Sequence, residues 1–178
     1  PLELIGALTD AMGKIGEKFS RLEIYLPEMM MAGEAMSSVV KILSPALKEK
    51  GGGESKGRIL LGTVKGDLHE IGKNIVKLML ESSMYTVKDV GVNTDSVVFI
   101  KEAEAMDAQV IGASALMSTT LPHQKEIIDI LKEEGIRDKY KIVVGGAPTT
   151  KEWADEIGED LYCPDAGSAA SLISQIVK

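Results

Sequence analysis

Short β-rich runs alternate with amphipathic segments along residues 57–178, and this alternation limits the possible fold more than any other feature of the chain. The predicted strands are RILLGTV at 58–64, YTVKDVG at 85–91, AQVIGAS at 108–114, KIVVGG at 141–146 and a weak run near Leu161. The predicted helices span 70–82, 95–106, 122–134, 150–157 and 166–177. Strands alternating with helices of this length imply right-handed crossovers and a parallel sheet covered on both faces. The sequence therefore predicts an α/β fold with a doubly wound sheet of about five parallel strands.

The first 48 residues show helical but no strand-like periodicity, and they are predicted to form helices at roughly 3–19 and 27–48. Pro27 stands at a first-turn position of the second helix. Apolar or small residues of that helix recur at steps of three and four: Leu26, Met29, Gly33, Met36, Val40 and Leu43. This spacing predicts a packed helix in a small bundle.

The stretch KEKGGGES at 48–55 combines charged residues with three consecutive glycines. Such a composition neither propagates a helix nor packs in a core, so it predicts an interdomain linker. We therefore expect a helical domain at 1–48, a linker at 49–56 and the α/β domain at 57–178.

The charge and hydropathy of the chain exclude several classes of partner. Acidic residues number 27 against 20 basic ones, and no Lys/Arg cluster marks a nucleic-acid surface. The longest apolar runs, IVKLML and VVFI, are far shorter than the roughly 20 residues of a membrane span. The single cysteine, Cys163, excludes an internal disulfide and is expected to be a small buried residue. These features predict a cytoplasmic protein without nucleic-acid or membrane partners.

Three predicted loops carry the unusual residues of the α/β domain: GDLHEIG at 66–72, ASALMSTT at 113–120 and GGAPTT at 145–150. They follow the first, third and fourth strands. Ligands of doubly wound sheets bind beyond the carboxyl ends of the strands, near the point where the strand order reverses. A ligand site is therefore expected where these loops meet.

The first loop contains one of only two histidines. His69 can offer an imidazole nitrogen to a metal, while Asp67 can accept the proton of the other ring nitrogen and so fix the tautomer. Zinc requires three or four protein ligands, and the other histidine, His123, stands at the predicted start of a later helix. One protein ligand suits a metal held by a macrocycle, and Gly66 and Gly72 remove side chains where a large planar ligand would approach.

Three short motifs stand on these loops: DxHxxG at Asp67, His69 and Gly72, SxL at Ser114 and Leu116, and the pair Gly145-Gly146. This combination resembles the cobalamin-binding domain of the methionine synthase and corrinoid methyltransferase proteins. The contexts GTVKGDLHEIGKNIV and GASALMSTT are most similar to the small corrinoid proteins of methanogen and acetogen methyltransferase systems. The upstream stretch IGEKFSRLEIYLPEMMMAGEAM is similar to the helical cap domain of that family.

The resemblance implies a flavodoxin-like (Rossmann-like) domain that binds cobalamin or a related corrinoid containing cobalt. His69 would replace the cofactor's own base as the lower axial ligand of cobalt, the base-off, His-on state. Asp67 would hydrogen-bond His69, and Thr120 stands where the family often completes this relay with a serine. Gly72 completes the first motif.

Two further groups of residues are implied by the same resemblance. The slot for the displaced nucleotide tail would be lined by Ser114, Leu116, Gly145 and Gly146. On the cap, Tyr25 and Met29, with Ala32 beside them, would face the upper side of the corrin, although the run Met29–Met31 equally fits helix packing. Because the family's cap is a four-helix bundle and only two helices are visible, a further helix is expected upstream.

The implied function is that of a methyl carrier, a noncatalytic corrinoid subunit that shuttles a methyl group between two partner methyltransferases. Cobalt would cycle between Co(I) and methyl-Co(III). One partner would be a substrate-specific methyltransferase, and the second would pass the methyl group to a thiol or a folate-type acceptor. A reductive activase is a further partner of such systems.

Three alternatives remain open from the sequence. An adenosylcobalamin mutase subunit has a similar fold and DxHxxG loop, but the cap and the flanks GDLHEIGKNIV argue against it. A cobalamin-sensing regulator would carry a basic DNA-binding head, which is not present in this sequence. A flavodoxin-like module that binds a phosphate or flavin through the first loop leaves His69 and the SxL spacing unexplained.

Overall fold

A five-stranded parallel sheet forms the centre of the computed structural model, which describes residues 2–49 and 55–177. The strands are β1 (Arg58–Thr63), β2 (Thr86–Asp89), β3 (Val110–Ser114), β4 (Lys141–Gly145) and β5 (Leu161–Cys163). Their order is β2-β1-β3-β4-β5, and every neighbouring pair is parallel. The prediction of a doubly wound α/β sheet is confirmed, and the strand order reverses between β1 and β3.

Seven α-helices are present among the described residues: α1 (Leu2–Ser20), α2 (Leu26–Glu49), α3 (Ile71–Ser82), α4 (Ser96–Ala105), α5 (Pro122–Glu133), α6 (Lys151–Ile157) and α7 (Ala169–Ser174). The last helix is shorter than predicted because the carboxylate of Asp165 accepts hydrogen bonds from the amide and hydroxyl of Ser168, which hold a turn before α7. A short 3₁₀ turn at Arg137–Lys139 was not predicted. None of the described helices is long and apolar enough to cross a membrane.

The sheet has a different hydrophobic core on each face. On one face α4, α5 and α6 cover alternate strand residues such as Leu60, Ile111 and Val144. On the other face α3 and α7 cover Ile59, Val110 and Val143, and the side chains of α1 and α2 continue this second core. Alternate burial of strand residues in two cores is expected for a sheet with helices on both faces.

Helices α1 and α2 pack against each other and against the outer side of α3. Met12, Met29 and Met36 are buried in the same core as Met79 of α3. Gly33 has no room for a side chain because a Cβ there would overlap Leu78. The stripe predicted on the second helix is therefore buried at Met29, Gly33 and Met36, whereas the side chains of Val40 and Leu43 and most of the predicted linker lie outside the described residues.

Candidate functional site

A cavity of about 470 Å³ opens at the carboxyl edge of the sheet, between the strands and helices α3 and α7. Six residues singled out in the sequence line it together: His69, Gly72, Ser114, Leu116, Gly145 and Gly146. They lie at the carboxyl ends of β3 and β4, in the loops after β1, β3 and β4, and in the first turn of α3, as expected for a ligand site at the switch in strand order.

The floor of this cavity is deep because side chains become smaller toward the ends of the central strands. On the face toward α3 and α7, Val110 of β3 is followed by Gly112 and Ser114, and Val143 of β4 is followed by Gly145. Strand residues two apart share a face, so both strands end in small residues on the side of the cavity. The small residues leave open the volume that larger side chains fill in the rest of the core.

Gly72 lines the cavity at the first turn of α3, and a Cβ built there would meet no protein atom within 4 Å. Packing within the described residues therefore gives no reason for glycine at this position. A ligand that fills the cavity would give such a reason, because its surface would occupy the open space.

Asp67 lies at the centre of the hydrogen bonds around the cavity, with a side chain that is 0% exposed. Its Oδ2 accepts hydrogen bonds from the amides of Leu116 at 2.7 Å and Met117 at 3.3 Å, and from the hydroxyl of Thr120 at 2.9 Å. Its Oδ1 accepts one from the amide of His69 at 3.1 Å. The carboxylate therefore joins the loop after β1 to the loop after β3.

These hydrogen bonds determine the ionisation of Asp67. Burial alone would raise its pKa, but the donors from Leu116, His69 and Thr120 stabilise the anion more strongly and lower the pKa from 3.8 to about 2. At neutral pH Asp67 is therefore a carboxylate that only accepts hydrogen bonds.

His69 is held in one orientation by this carboxylate. Its Nδ1 lies 2.7 Å from Oδ1 of Asp67, and its backbone carbonyl accepts a hydrogen bond from the hydroxyl of Thr63 at 2.9 Å. Because Asp67 is an acceptor, Nδ1 carries the proton in the neutral form of the ring, and that form leaves the lone pair of Nε2 available. The side chain is 53% exposed, and Nε2 has no hydrogen-bond partner among residues 2–49 and 55–177. This nitrogen is free to bind a metal.

The loops after β3 and β4 interlock beside His69. Gly146 has a φ of +120°, and a Cβ there would overlap the backbone carbonyl of Ala115. The amide of Ala115 donates to the carbonyl of Gly145 at 3.1 Å. A side chain at position 146 would separate the two loops, so glycine is required by the protein itself at this point.

The two residues predicted on the helical segment lie apart from the cavity. Tyr25 is 68% exposed, and Met29 is 0% exposed within the core that α1, α2 and α3 share. Neither lines the cavity in this arrangement. Their contact with a cofactor stays a prediction.

Sequence reasoning missed several residues of the site. Lys73 is buried at the cavity wall and forms an ion pair with Asp89 at 2.5 Å. Cys163 is buried, as expected, but it also lines the cavity, and burial raises the pKa of its thiol to about 12. The ion-pair partner of Lys73 is 16 residues away, and the place of Cys163 in the cavity wall depends on the folded sheet. The only feature in the sequence that could have indicated either residue is the charge of Lys73 next to the DxHxxG motif.

The arrangement offers one metal-binding nitrogen beside a deep, largely apolar cavity. No group of three or more His, Cys, Asp and Glu side chains within the described residues could hold a metal ion by itself. A metal bound by His69 must therefore bring its remaining ligands with it, as a metal within a macrocycle does. The fold and the site together define a protein with a cavity for such a cofactor and one histidine beside it.

Comparisons with known proteins agree that the chain belongs to a class that binds a metal-containing macrocycle. Residues 57–172 match the family model described as the B12 binding domain, and residues 1–44 match a second model of the same description. The chain belongs to the B12-binding domain family, and it binds a corrinoid.

Its relatives are corrinoid proteins. The chain is 43% identical to dimethylamine corrinoid protein 3 of Methanosarcina mazei over 93% of its own length and 99% of the relative's. A cobalamin-binding protein of Desulfitobacterium hafniense DCB-2 has a similar crystal structure, with a TM-score of 0.88 and 30% identity over 99% of this chain and 83% of that one. The methanol:cobalamin methyltransferase complex MtaBC of Methanosarcina barkeri contains a similar chain, with a TM-score of 0.79 and 29% identity over 99% of this chain and 67% of that one.

Proposed function

We propose that this chain is the methyl-carrying corrinoid protein of a multicomponent methyltransferase system, shuttling a methyl group between two partner enzymes. The observation that carries the proposal is the Asp67–His69 pair at 2.7 Å, which leaves Nε2 of His69 unpaired beside the cavity. The relatives add support, since they include a dimethylamine corrinoid protein and a chain from a methanol methyltransferase complex. When bound, the corrinoid supplies a cobalt centre that can accept a methyl group and give it up again.

The residues of the site have separate parts in this proposal. Nε2 of His69 would bind the cobalt, while Asp67 would hold the proton on Nδ1 and orient the ring. Thr120 completes the relay by donating its hydroxyl proton to Asp67. The cavity walls at Ser114, Leu116, Gly145 and Gly146 would receive the nucleotide tail of the cofactor, and Gly72 leaves open space at the start of α3.

The proposal also includes the two-domain organisation, with a helical cap at 1–48 and a corrinoid domain at 57–178. Tyr25 is exposed, whereas Met29 is buried against α3, so contact of Met29 with the upper corrin face would require the helical pair to move relative to α3. Such a movement would also give a partner enzyme access to that face.

The proposed partners are a substrate-specific methyltransferase, a second methyltransferase to a thiol or folate-type acceptor, and a reductive activase. A cytoplasmic location fits a chain with one cysteine and no internal disulfide.

Transfer of an isotope-labelled methyl group tests the proposal. The corrinoid-loaded, chemically reduced protein is incubated with labelled dimethylamine and a dimethylamine methyltransferase, or with labelled methanol and a methanol methyltransferase, and then passed through a gel-filtration column. We expect label to elute with this chain in the presence of one of the two enzymes and to leave it when a thiol-methylating enzyme is added. Corrinoid-loaded protein that acquires no label from either donor would contradict the role of a carrier in these systems.

A further inference from the structure

Gln124 is a buried amide in the first turn of α5, wedged between the ends of the two strands that border the cavity. Its side chain is 0% exposed. Nε2 donates to the carbonyl of Ala113 at 2.9 Å and to the carbonyl of Gly145 at 3.1 Å. One side chain thus joins the carboxyl ends of β3 and β4, and it lies on the face of the sheet opposite the cavity.

The orientation of this amide is fixed by the single tryptophan of the chain. Nε1 of Trp153, which can only donate, lies 3.0 Å from Oε1 of Gln124. The reverse orientation would bring Oε1 against the two carbonyls and the NH₂ group against the indole N–H, and all these contacts would be repulsive. Trp153 therefore keeps the NH₂ group directed at Ala113 and Gly145.

The carbonyl of Gly145 connects Gln124 to the loop after β3. It accepts hydrogen bonds from both Gln124 and the amide of Ala115, at 3.1 Å in each case. The position of Ala115 is thus set through Gly145 as well as by its own strand.

The residues after Ala115 connect the loop to the metal-binding histidine. The amides of Leu116 and Met117 donate to Oδ2 of Asp67, and Oδ1 of the same carboxylate lies 2.7 Å from Nδ1 of His69. A continuous series of hydrogen bonds and one short backbone segment therefore joins the buried amide of α5 to the His69 ring.

We propose that Gln124 is a positioning residue for His69, with Trp153 setting the orientation of its amide. Gln124 touches no cofactor; it fixes the loop whose amides hold Asp67, and Asp67 fixes the tautomer and direction of the His69 ring. The inference rests on the proposed function as far as corrinoid binding is concerned, but the state of the His69 ring can be measured in the cofactor-free protein, where the proposed function plays no part.

Three variants test this inference. Gln124→Met keeps the approximate length of the side chain and removes its hydrogen bonds. Trp153→Phe keeps an aromatic side chain and removes the indole donor. Ile127→Val is the matched control, because Ile127 is fully buried on the same helix and in the same core but lies outside the hydrogen-bonded series.

The first readout is the pair of imidazole nitrogen chemical shifts of His69 in the cofactor-free protein, followed upward in pH until they no longer change, so that the neutral ring is compared. Only two histidines are present, so His123→Ala assigns the signals. We expect a single tautomer with the proton on Nδ1 in the unsubstituted protein and in Ile127→Val. Gln124→Met should show shifts averaged between tautomers, and Trp153→Phe should show a smaller change in the same direction.

The second readout is the dissociation constant for hydroxocobalamin. Loss of the direct partner of a metal-binding histidine typically weakens metal affinity about 10–100-fold, and because Gln124 acts through Asp67 we expect Gln124→Met to weaken binding about tenfold, the lower end of that range. Ile127→Val should stay within about twofold, since it loses core packing but no hydrogen bond.

The inference is overturned if Gln124→Met matches Ile127→Val in both readouts. If Gln124→Met does not fold, Trp153→Phe decides the matter, and unchanged His69 shifts in that variant would overturn the inference. Failure of the unsubstituted protein to bind hydroxocobalamin would instead refute the proposed function, while the His69 shifts would still test the positioning role.

Discussion

Replacement of Gly146 by alanine is expected to abolish corrinoid binding and to lower the free energy of unfolding by about 2–5 kcal/mol. Two costs add at this position. The φ of +120° is unfavourable for any residue with a Cβ, and that Cβ would overlap the carbonyl of Ala115. Relief of the overlap requires the loops after β3 and β4 to separate, and these loops carry both the cavity wall and the amides that hold Asp67.

Gly135→Ala is the matched control for this variant. Gly135 also has a positive φ, of +70°, but a Cβ there would meet nothing within 4 Å. It should therefore show only the backbone strain of about 1–2 kcal/mol and retain hydroxocobalamin binding. Urea unfolding and titration with hydroxocobalamin measure both quantities. Equal losses of unfolding free energy and of hydroxocobalamin binding in the two variants would show that the close approach of Gly146 to Ala115 contributes to neither quantity.

The substitution Asp67→Asn is expected to destabilise the protein at neutral pH and to flatten its stability between about pH 4 and pH 2. The folded-state pKa of Asp67 is lowered from 3.8 to about 2, so the folded state favours the carboxylate. Its contribution of about 2 kcal/mol is present above pH 4 and is lost as the pH falls through 2. An asparagine at 67 would also direct its NH₂ group at donors, whichever way it turned, and would leave them unsatisfied.

Urea unfolding at a series of pH values measures this effect. Asp107→Asn is the control, because Asp107 is an exposed carboxylate paired with Arg58 and such pairs contribute at most about 1 kcal/mol. We expect the acid part of the stability curve to persist in the control and to be reduced in Asp67→Asn. A parallel curve for Asp67→Asn and the unsubstituted protein would mean that the hydrogen bonds to Asp67 do not stabilise the anion.

The parts of the fold that local pattern determines were predictable from the sequence. The five strands follow from β-rich runs between amphipathic helices, and each predicted strand is present within a few residues of its expected bounds. Val64 is an exception: it lies just beyond β1, forms an isolated bridge with Thr94, and still donates its amide to the carbonyl of Ser114 at 3.0 Å. Local propensity does not report where a neighbouring strand ends, so such boundaries depend on the assembled sheet.

The site could be predicted where its residues are close in sequence or belong to the DxHxxG, SxL and Gly-Gly motifs that resemble those of corrinoid proteins. Asp67 and His69 are two residues apart, and their predicted contact is present. The amides of Leu116 and Met117, about 50 residues away, carry no side-chain signature, so their hydrogen bonds to Asp67 become visible only in the folded chain. Gln124 was missed for the same reason, because its partners are backbone carbonyls.

The position of the helical segment could not be predicted from its own residues. The stripe with Met29, Gly33 and Met36 indicates a buried face, but a stripe does not identify the surface that covers it. The structure shows that α3 is part of that surface, and the absence of a side chain at Gly33 allows the close approach to Leu78.

The proposed function depends on ligation of the cobalt by histidine, which electron paramagnetic resonance of the Co(II) state detects. The protein is prepared with ¹⁵N-histidine and loaded with unlabelled cobalamin, whose own base contains ordinary nitrogen. We predict that the superhyperfine pattern of the axial nitrogen changes with the label, persists in His123→Ala and disappears in His69→Ala. His123 is a fair control because it is the other histidine of the chain and pairs with Glu126 outside the cavity. A superhyperfine pattern unaffected by the ¹⁵N label, or a label-dependent pattern that survives in His69→Ala, would show that the protein does not bind cobalt through His69 and would contradict the proposed ligation.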